Sequence, residues 1–318
     1  MKTYLVLALV LACVVAINTP LFGWGNVGHM TVAYVAYQHL TPAAKKRVYA
    51  LIKLNPDYKN KKWSALIPAG TAPKDRPMML FMIAATWPDQ IKSEKGYSDD
   101  GPDPHGNRPD GASSSQNIGY TDHLHHKYWH FVDTPFSQDG TALGTIPTPN
   151  AETQIAAFRA VLASSDPDPL KSYDLVWLLH LVGDVHQPLH AATRVSKADP
   201  DGDNGGNKVA LCKKCKSELH GFWDGLPGTG KDPNAAVVAG KKLPKADATL
   251  AANTDATTWI KESFDAAQKS VYVNPPIGAG DGPFTLTPAY KTAARKLAKK
   301  RVALAGARLA NVINDELK

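Results

Sequence analysis

The segment LKSYDLVWLLHLVGDVHQPL, residues 170–189, constrains the fold of this chain more than any other part of its sequence. Apolar side chains occupy most of the helix that it predicts, so this helix must be buried. Two of its polar residues, His180 and Asp184, are four positions apart and therefore project from one face. An imidazole and a carboxylate in apolar surroundings need partners, which are either each other or a bound ion.

The other segments predict further helices and few strands. Helical spacing marks residues 27–40, 41–54, 77–91, 151–163, 256–271 and 288–313. Stretches rich in Gly, Pro, Asp and Ser predict loops at residues 94–122, 197–206 and 278–283. Alternation with a period of two residues is scarce, and no internal repeat is visible. We therefore predict a mainly α fold, with a single globular domain of buried helices and long loops.

The N-terminus predicts export. Lys2 precedes an uncharged apolar run from Tyr4 to Ile17, which is typical of a signal peptide and not of a transmembrane anchor. Small residues at Ala16 and Gly23 both offer a cleavage site. We expect a signal peptide over residues 1–23 and a domain over residues 24–318. The mature protein would be secreted or periplasmic, with no membrane anchor after cleavage.

The cysteines and the net charge limit the function only in part. Cys13 lies in the signal peptide, and Cys212 and Cys215 alone cannot complete a four-cysteine zinc site. In an oxidising compartment this pair predicts a local disulfide, with a free dithiol as the alternative. The formal net charge of +7 is compatible with a nucleic-acid partner but does not predict one.

Histidine and aspartate recur in apolar surroundings along the chain. The spacing of His180 and Asp184 is repeated by His220 and Asp224 in the segment LHGFWD. Further members of this pattern are His29 in WGNVGH, Asp89 in TWPDQ, His130 in WHFVD, and His190. Neutral imidazoles and carboxylates are the ligands that zinc prefers, and a metal compensates charges of this kind in a protein interior. The pattern therefore predicts a multinuclear zinc site.

This pattern resembles a known family, the zinc-dependent type I nucleases of fungi, plants and bacteria, often called the nuclease S-one/P-one family. The resemblance rests on the ordered set Trp24, His29, Asp89, His130, His180, Asp184, His190, His220 and Asp224. Its most specific motifs are LVGDVHQPLH, GGN and LHGFWD. It implies the mainly α fold that these nucleases have in common with zinc-dependent phospholipase C.

The resemblance implies three zinc ions, each with its own ligands. The first ion would be bound by Trp24, through its free α-amino group and carbonyl oxygen, and by His29 and Asp184. The second would be bound by Asp89, His130, His180 and again Asp184, which would thus bridge two ions. The third would be bound by His190, His220 and Asp224. The first set requires cleavage before Trp24, because only a chain terminus has an α-amino group.

The resemblance also implies catalytic and substrate-binding residues. Zinc lowers the pKa of a bound water, so a hydroxide held between two ions would attack phosphorus. Asp89 would orient this nucleophile, and Lys92 would lie near the scissile phosphate, unless it is an ordinary solvated lysine. Phe131 would stack on an unpaired base, unless it belongs to the core, and Asp133 would bind the base edge. Asn207, in a D-x-GGN loop, is a further candidate for substrate binding.

The predicted function is therefore an exported zinc-dependent phosphodiesterase. It would hydrolyse single-stranded DNA and RNA to 5′-mononucleotides and would also act as a 3′-nucleotidase. No protein partner is implied, and a monomer is expected. One alternative is zinc-dependent phospholipase C, against which the short spacing from Trp24 to His29 and the aspartate at Asp224 argue. The other is a non-catalytic zinc-binding surface protein, against which the complete ligand set argues.

The other histidines are not part of this prediction. His186 faces away from His180 on the predicted helix, so we expect a structural role for it. His123, His125 and His126 form a local cluster without an assigned role.

Overall fold

Helices make up most of the part of the chain that the structure describes. The computed structural model describes residues 23–100, 115–213 and 216–317. Its α-helices are α1 Asn26–His39, α2 Pro42–Ile52, α3 Pro56–Lys59, α4 Lys62–Ala65, α5 Arg76–Ala84, α6 Trp87–Gln90, α7 Ala151–Ala163, α8 Asp168–Asp184, α9 Leu219–Asp224, α10 Pro233–Gly240, α11 Ala248–Ala252, α12 Ala256–Ala266 and α13 Pro288–Glu316. Short 3-10 helices cover Pro73–Asp75, Ile91–Ser93, Gly119–Thr121, Lys127–His130 and Pro188–Ala191, and a π-helical turn covers Ala267–Val271. The predicted mainly α class is confirmed.

Helix α8 lies at the centre of the protein, as its apolar sequence predicts. Every residue from Lys171 to Asp184 is buried. Helices α1, α2, α7 and α13 pack against it, and the aromatic ring of Trp177 on α8 contacts those of Trp87 and Trp129. The helices therefore surround one main hydrophobic core, which is the arrangement expected for a single domain.

A short pair of strands joins two parts of the chain that carry candidate ligands. Strand β1, Pro135–Ser137, pairs in parallel with β2, Thr193–Val195. Just before these strands, the backbone N–H of Val132 donates to the carbonyl oxygen of His190 over 2.7 Å. The pairing thus fixes the segment after His130 beside the segment after His190.

Several predicted segments end or break earlier than their apolar patterns suggest. The segment 77–91 forms two helices, α5 and α6, with a turn at Ala85 and Thr86. The segment 170–189 leaves the α-helix at Asp184 and continues as a 3-10 turn that starts at Pro188. By contrast, α2 begins where its sequence predicts, because the Thr41 hydroxyl caps it by accepting from the backbone N–H of Ala44 over 3.1 Å.

Some predictions concern residues outside the described part. The signal peptide up to residue 22, the middle of the predicted loop 94–122 and Cys215 belong to this group. The disulfide between Cys212 and Cys215 therefore stays a prediction. Within the described ranges, none of the helices combines the length and the apolar character that crossing a membrane requires.

Candidate metal centre

The histidines and aspartates predicted as ligands come together in three adjoining groups. In each group the candidate ligand atoms lie within 4.8 Å of one another, and all of the residues are buried. The groups are His29, Asp89 and His180; His130, His180 and Asp184; and His190, His220 and Asp224. His180 belongs to two groups, so the first two form a continuous cluster. Segments far apart in sequence thus meet at the C-terminal half of α8.

Asp184 lies between these groups. Its Oδ2 atom is 3.0 Å from Nδ1 of His130 and 3.2 Å from Nε2 of His180. Its Oδ1 atom is 3.4 Å from Nε2 of His29 and 3.8 Å from Nδ1 of His190. Burial by itself would raise the pKa of Asp184, but the imidazoles of His180 and His190 outweigh burial and hold this pKa well below its usual range. Asp184 is therefore a carboxylate that contacts histidines from all three groups.

Backbone carbonyl groups orient three of the histidines. Nδ1 of His180 is 2.8 Å from the carbonyl oxygen of Ala85, and Nδ1 of His190 is 2.7 Å from that of His130. Nδ1 of His220 is 2.7 Å from the carbonyl oxygen of Gly205. Because a carbonyl oxygen only accepts, each Nδ1 carries the hydrogen and each neutral ring keeps its lone pair on Nε2. This is the second-shell arrangement found around metal-bound histidine.

The Nε2 atoms of His190 and His220 face each other at 3.1 Å. Two lone pairs in this position repel each other unless a cation lies between the rings. Asp224 adds a carboxylate, with Oδ2 3.4 Å from Nε2 of His220. Burial raises the pKa of Asp224 well above its usual value, and the carboxylates of Asp184 and Asp89 raise it further. A hydrogen bond from Gln187 opposes this rise. This group therefore has the ligand composition of a cation site, and a bound cation would compensate its lone pairs and its carboxylate.

The other two groups also contain buried polar atoms that a bound cation would compensate. Among the described residues, buried polar atoms without a hydrogen-bond partner include both ring nitrogens of His29, Asp89 Oδ2, His130 Nε2 and Asp184 Oδ1. Burial lowers the pKa of His29, and burial together with the Lys92 ammonium lowers that of His130 to about 3, so both rings are neutral. Burial also opposes protonation of His180, but the Asp184 and Asp89 carboxylates raise its pKa. Imidazoles and carboxylates in this arrangement fit a transition-metal cation such as zinc.

Two glycines allow the chain to approach this cluster closely. A Cβ on Gly23 would lie 1.6 Å from Oδ1 of Asp184, so the backbone just before Trp24 lies against this carboxylate. Trp24 is fully buried, and the next backbone N–H, that of Gly25, donates to the carbonyl oxygen of Asp224 over 3.0 Å. A Cβ on Gly183 would lie 2.9 Å from Nδ1 of His29. The N-terminal end of the predicted mature domain is thus part of the centre.

Lys92 lies in the centre. Its Nζ atom is 2.8 Å from Oδ1 of Asp89, and its side chain is only 6% exposed, unlike that of a solvated surface lysine. Burial on its own would raise the pKa of Asp89, but the Lys92 ammonium and the imidazole of His180 outweigh burial and lower it to about 2. Asp89 is therefore ionised and bound to Lys92.

The predicted substrate residues have intermediate exposure. Phe131 directly follows His130 and is not part of the buried core, and Asp133 is also partly exposed. Asn207 donates from Nδ2 to the carbonyl oxygen of Asn204 over 2.7 Å, which holds its side chain against its own loop. The substrate contacts of Phe131, Asp133 and Asn207 stay predictions.

Two residues that support the ligands do not stand out in the sequence. Gln187 donates to Asp224 over 2.8 Å. Asp203 accepts from the backbone N–H groups of Arg194 and Gly206 over 3.0 and 3.1 Å, and from the Tyr272 hydroxyl over 2.9 Å. It thereby builds the loop whose Gly205 carbonyl orients His220. The D-x-GGN motif was the only signal for Asp203, and it indicated no role.

His186 is structural, as predicted from its position on the helix. Its Nδ1 atom lies 2.7 Å from the carbonyl oxygen of Val182, and Arg308 donates to its Nε2 over 3.0 Å. Burial, followed by the charges of Arg301 and Arg308, holds its pKa well below the usual value.

His126, from the local histidine cluster, is also bound within the protein. Its Nε2 atom is 2.8 Å from Asp122 Oδ2, and its ring stacks on Trp129 with 3.5 Å between ring centroids.

Comparisons with known proteins agree with the geometry. A family model described as S1/P1 Nuclease matches residues 24–318. A protein named Endonuclease 4 from Arabidopsis thaliana is 26% identical over 319 residues, which cover 92% of this chain and 88% of that protein. A protein named Endonuclease 1 from the same plant is 26% identical over 236 residues, which cover 70% of this chain and 59% of that protein.

Proposed function

This chain belongs to the S1/P1 nuclease family, and on that premise we propose that it is a zinc-dependent hydrolase of single-stranded nucleic acids. Its products would be 5′-mononucleotides, and it would also hydrolyse 3′-nucleotides. The observation that carries this proposal is the convergence of three buried groups of histidine and aspartate on one centre. Such groups are otherwise costly to bury, so a set of cations is the simplest compensation for them.

The proposed cofactors are three zinc ions. Trp24, His29 and Asp184 would hold the first; Asp89, His130, His180 and Asp184 the second; and His190, His220 and Asp224 the third. The approach of Gly23 to Asp184 supports the first set, because Gly23 directly precedes Trp24 and lies against this carboxylate. When bound, zinc supplies Lewis-acid chemistry: it polarises the phosphate and makes a water molecule more acidic.

The chain's own groups would orient the reactants. Asp89 is ionised, so it can accept a hydrogen bond from the attacking water and hold that water in line with phosphorus. Lys92 would place an ammonium charge near the non-bridging phosphate oxygens while it remains hydrogen-bonded to Asp89. The buried walls around α8 exclude bulk water, which strengthens these electrostatic contacts.

Substrate selection would depend on residues beside His130. The carbonyl oxygen of His130 is bound by His190, so the backbone that leads to Phe131 is fixed relative to the centre. Phe131 is partly exposed and can offer its ring to an unpaired base, while Asp133 can accept from the base edge. A duplex hides the faces of its bases, so we expect a preference for single strands. Asn207 would contact the substrate from the opposite loop.

Export and cleavage before Trp24 are part of the proposal. The signal peptide would end at Gly23 and release a secreted or periplasmic monomer without a membrane anchor. Support comes from Gly23 itself, since its contact with Asp184 leaves no room for a side chain there. A free Trp24 amine at this position would complete the first ligand set.

One set of measurements on the exported protein tests the proposal. N-terminal sequencing should begin at Trp24, and elemental analysis should find three zinc ions per chain. The protein should degrade single-stranded DNA faster than duplex DNA and release phosphate from 3′-nucleotides, and a chelator should abolish both activities. A zinc-containing protein that hydrolyses neither substrate would overturn the proposed activity. A chain that starts before Trp24 would overturn the first ligand set.

A further inference from the structure

A second concave site lies outside the metal centre. It is a cavity of about 500 Å³ between the turn that follows α12 and the N-terminal half of α13. Its lysines are Lys269, Lys296 and Lys300, and its apolar walls include Leu297 and Pro276. This volume lies within the usual range for small-ligand sites, and apolar walls with a few charged groups are their usual lining.

The charge around this cavity is strongly positive. From residue 288 to residue 314, helix α13 has no Asp or Glu, whereas Lys291, Arg295, Lys296, Lys299 and Lys300 are basic. Arg301 and Arg308, farther along, both form ion pairs with Glu262. Within the described ranges no ion pair involves Lys296 or Lys300, which are both exposed. Lys269 is 3.7 Å from Asp265, which also binds Lys261. An anionic ligand would therefore find uncompensated charge here.

Two aromatic side chains in edge-to-face contact lie between the cavity and helix α9. Tyr290 lines the cavity, and Nε1 of Trp223 donates to its hydroxyl over 3.1 Å. Trp223 is the neighbour in sequence of the candidate ligand Asp224. The centroids of the Trp223 and Tyr290 rings are 6.5 Å apart. The cavity therefore adjoins α9, the helix that carries the candidate ligands His220 and Asp224.

We propose that the cavity is an accessory subsite for a nucleotide unit of the single-stranded substrate. The ammonium groups would bind its phosphates, and Leu297 and the neighbouring prolines would pack against the sugar and base. Charge complementarity favours a nucleic-acid strand over other occupants, because a strand presents a phosphate at every unit. The proposal rests on the proposed function, since it assigns this subsite to the same substrate.

Steady-state kinetics of two double variants test it. Lys296→Gln/Lys300→Gln removes two charges at the cavity, and Arg295→Gln/Lys299→Gln removes two from the same helix that do not line it. We expect the first variant to raise the KM for a long oligothymidylate by about fivefold to tenfold, with kcat unchanged. The KM for a 3′-mononucleotide should stay within about twofold of wild type, because so small a substrate does not reach the cavity. Equal effects of both variants, or no effect of either, would overturn the subsite.

A binding measurement separates this proposal from the proposed activity. Fluorescence anisotropy of a labelled oligothymidylate with phosphorothioate linkages reports affinity for the zinc-containing protein without requiring turnover. The slope of the logarithm of the binding constant against the logarithm of the salt concentration reports phosphate contacts, and loss of two of them should reduce its magnitude by about 1.4. Raising salt from about 50 to 200 mM should therefore weaken oligonucleotide binding by wild type about sevenfold more than binding by the cavity variant. Identical slopes would contradict the subsite even in an active enzyme. A different result would be that wild type binds anionic phosphatidylserine vesicles tightly, and that the cavity variant loses this binding while it still binds the oligonucleotide. That result would overturn the proposal and assign the cavity to a lipid surface.

Discussion

Asp184 and Asp174 show, at the scale of single residues, how surroundings decide what a buried carboxylate does. Both lie on α8 and both are fully buried. Asp184 is surrounded by imidazoles that hold its pKa well below the usual value. Asp174 has an amide hydrogen bond from Asn117 and, within the described part of the chain, no ion pair, and burial raises its pKa to about 8. The first is therefore a carboxylate suited to bind cations, whereas the second is a neutral acid near pH 7.

Replacing each of these carboxylates by its amide provides a matched pair of variants. Asp184→Asn should remove more than one zinc ion and lower activity by more than about 100-fold, because in the proposed site this side chain would bind two ions. Asp174→Asn makes the same chemical change on the same helix and should keep both zinc content and activity. Elemental analysis and an assay on single-stranded DNA check this. Full zinc content in the Asp184 variant would refute its bridging role.

The raised pKa of Asp174 also predicts a pH dependence of stability. The unfolded carboxyl titrates at its ordinary pKa of 3.8, whereas the folded one keeps its proton up to about 8. The folded state therefore binds more protons between these values, and this residue makes wild-type stability fall as pH rises. Asp174→Asn removes the effect. The free energy of unfolding of the variant minus that of wild type should therefore rise by on the order of 1 kcal/mol per pH unit between about pH 5 and 8. Denaturant titrations at several pH values would contradict this if the difference were constant.

Asp203 should act through the loop that orients His220. Asp203→Asn keeps the size of the side chain but replaces one carboxylate oxygen by an NH2 group, which donates. The one remaining oxygen cannot accept from both the backbone and the Tyr272 hydroxyl. We expect about tenfold to 100-fold weaker binding of the third zinc ion, measured by competition with a chelator. Tyr272→Phe removes only the hydroxyl contact and should have a smaller effect. Unchanged zinc affinity in Asp203→Asn would make this residue merely structural.

The meeting of the candidate ligands could be predicted from the sequence, whereas the groups that support them could not. His180 and Asp184 are recognisable because polar residues are rare in such an apolar helix. The carbonyl group of Ala85, the side chain of Gln187 and the loop of Asp203 have no such signal, because their roles depend on segments that meet only after folding. Sequence identifies a costly buried group, and the structure is needed to find what compensates it.

At the scale of secondary structure, the end of α8 decides the geometry of the third group. If the α-helix continued past Pro188, His190 would lie about 240° around the axis from Asp184 and would face away from it. Instead α8 ends at Asp184, and the 3-10 turn Pro188–Ala191 brings His190 within 3.1 Å of His220. The apolar pattern predicts the helix but not its last residue, because apolar side chains continue into the turn. The same holds for the break between α5 and α6, where Ala85 supplies a carbonyl to His180.

The packing of α1 on α8 requires a small residue at position 183. Gly183→Ala would favour the helix by its intrinsic propensity, but its Cβ would lie 2.9 Å from Nδ1 of His29. We expect displacement of His29 and loss of zinc from the first set, with the far-ultraviolet circular dichroism unchanged. Gly221→Ala on α9 is the control, because its Cβ meets only the end of the partly exposed Glu218 side chain. Equal zinc content in both variants would contradict this prediction, because it would show that His29 can move without loss of zinc.

At the scale of the whole molecule, the centre joins distant parts of the chain. The segments that carry His29, Asp89 and His130 reach α8, and the segment that carries His220 reaches His190 in the turn after this helix. The strand pair β1–β2 fixes the segment after His130 beside the segment after His190. The sequence predicted which segments meet, since each supplies a ligand. It could not predict how loops such as residues 197–206 are arranged, because their backbone is held by single contacts such as that between Asp203 and Tyr272.

Removal of metal should therefore lower the stability of the entire domain. Buried carboxylates and facing imidazoles lose their compensating charge when a chelator removes zinc, while the unfolded chain binds these ions only weakly. One site at a free-metal concentration of about 100 times its dissociation constant contributes about 2.7 kcal/mol, so the Tm should fall by roughly 5–10 °C on chelation. Differential scanning calorimetry with and without chelator measures this, and added zinc should restore the Tm. The fall should be smaller in Asp184→Asn, which has already lost ions, and an unchanged wild-type Tm would show that the fold does not depend on metal at this centre.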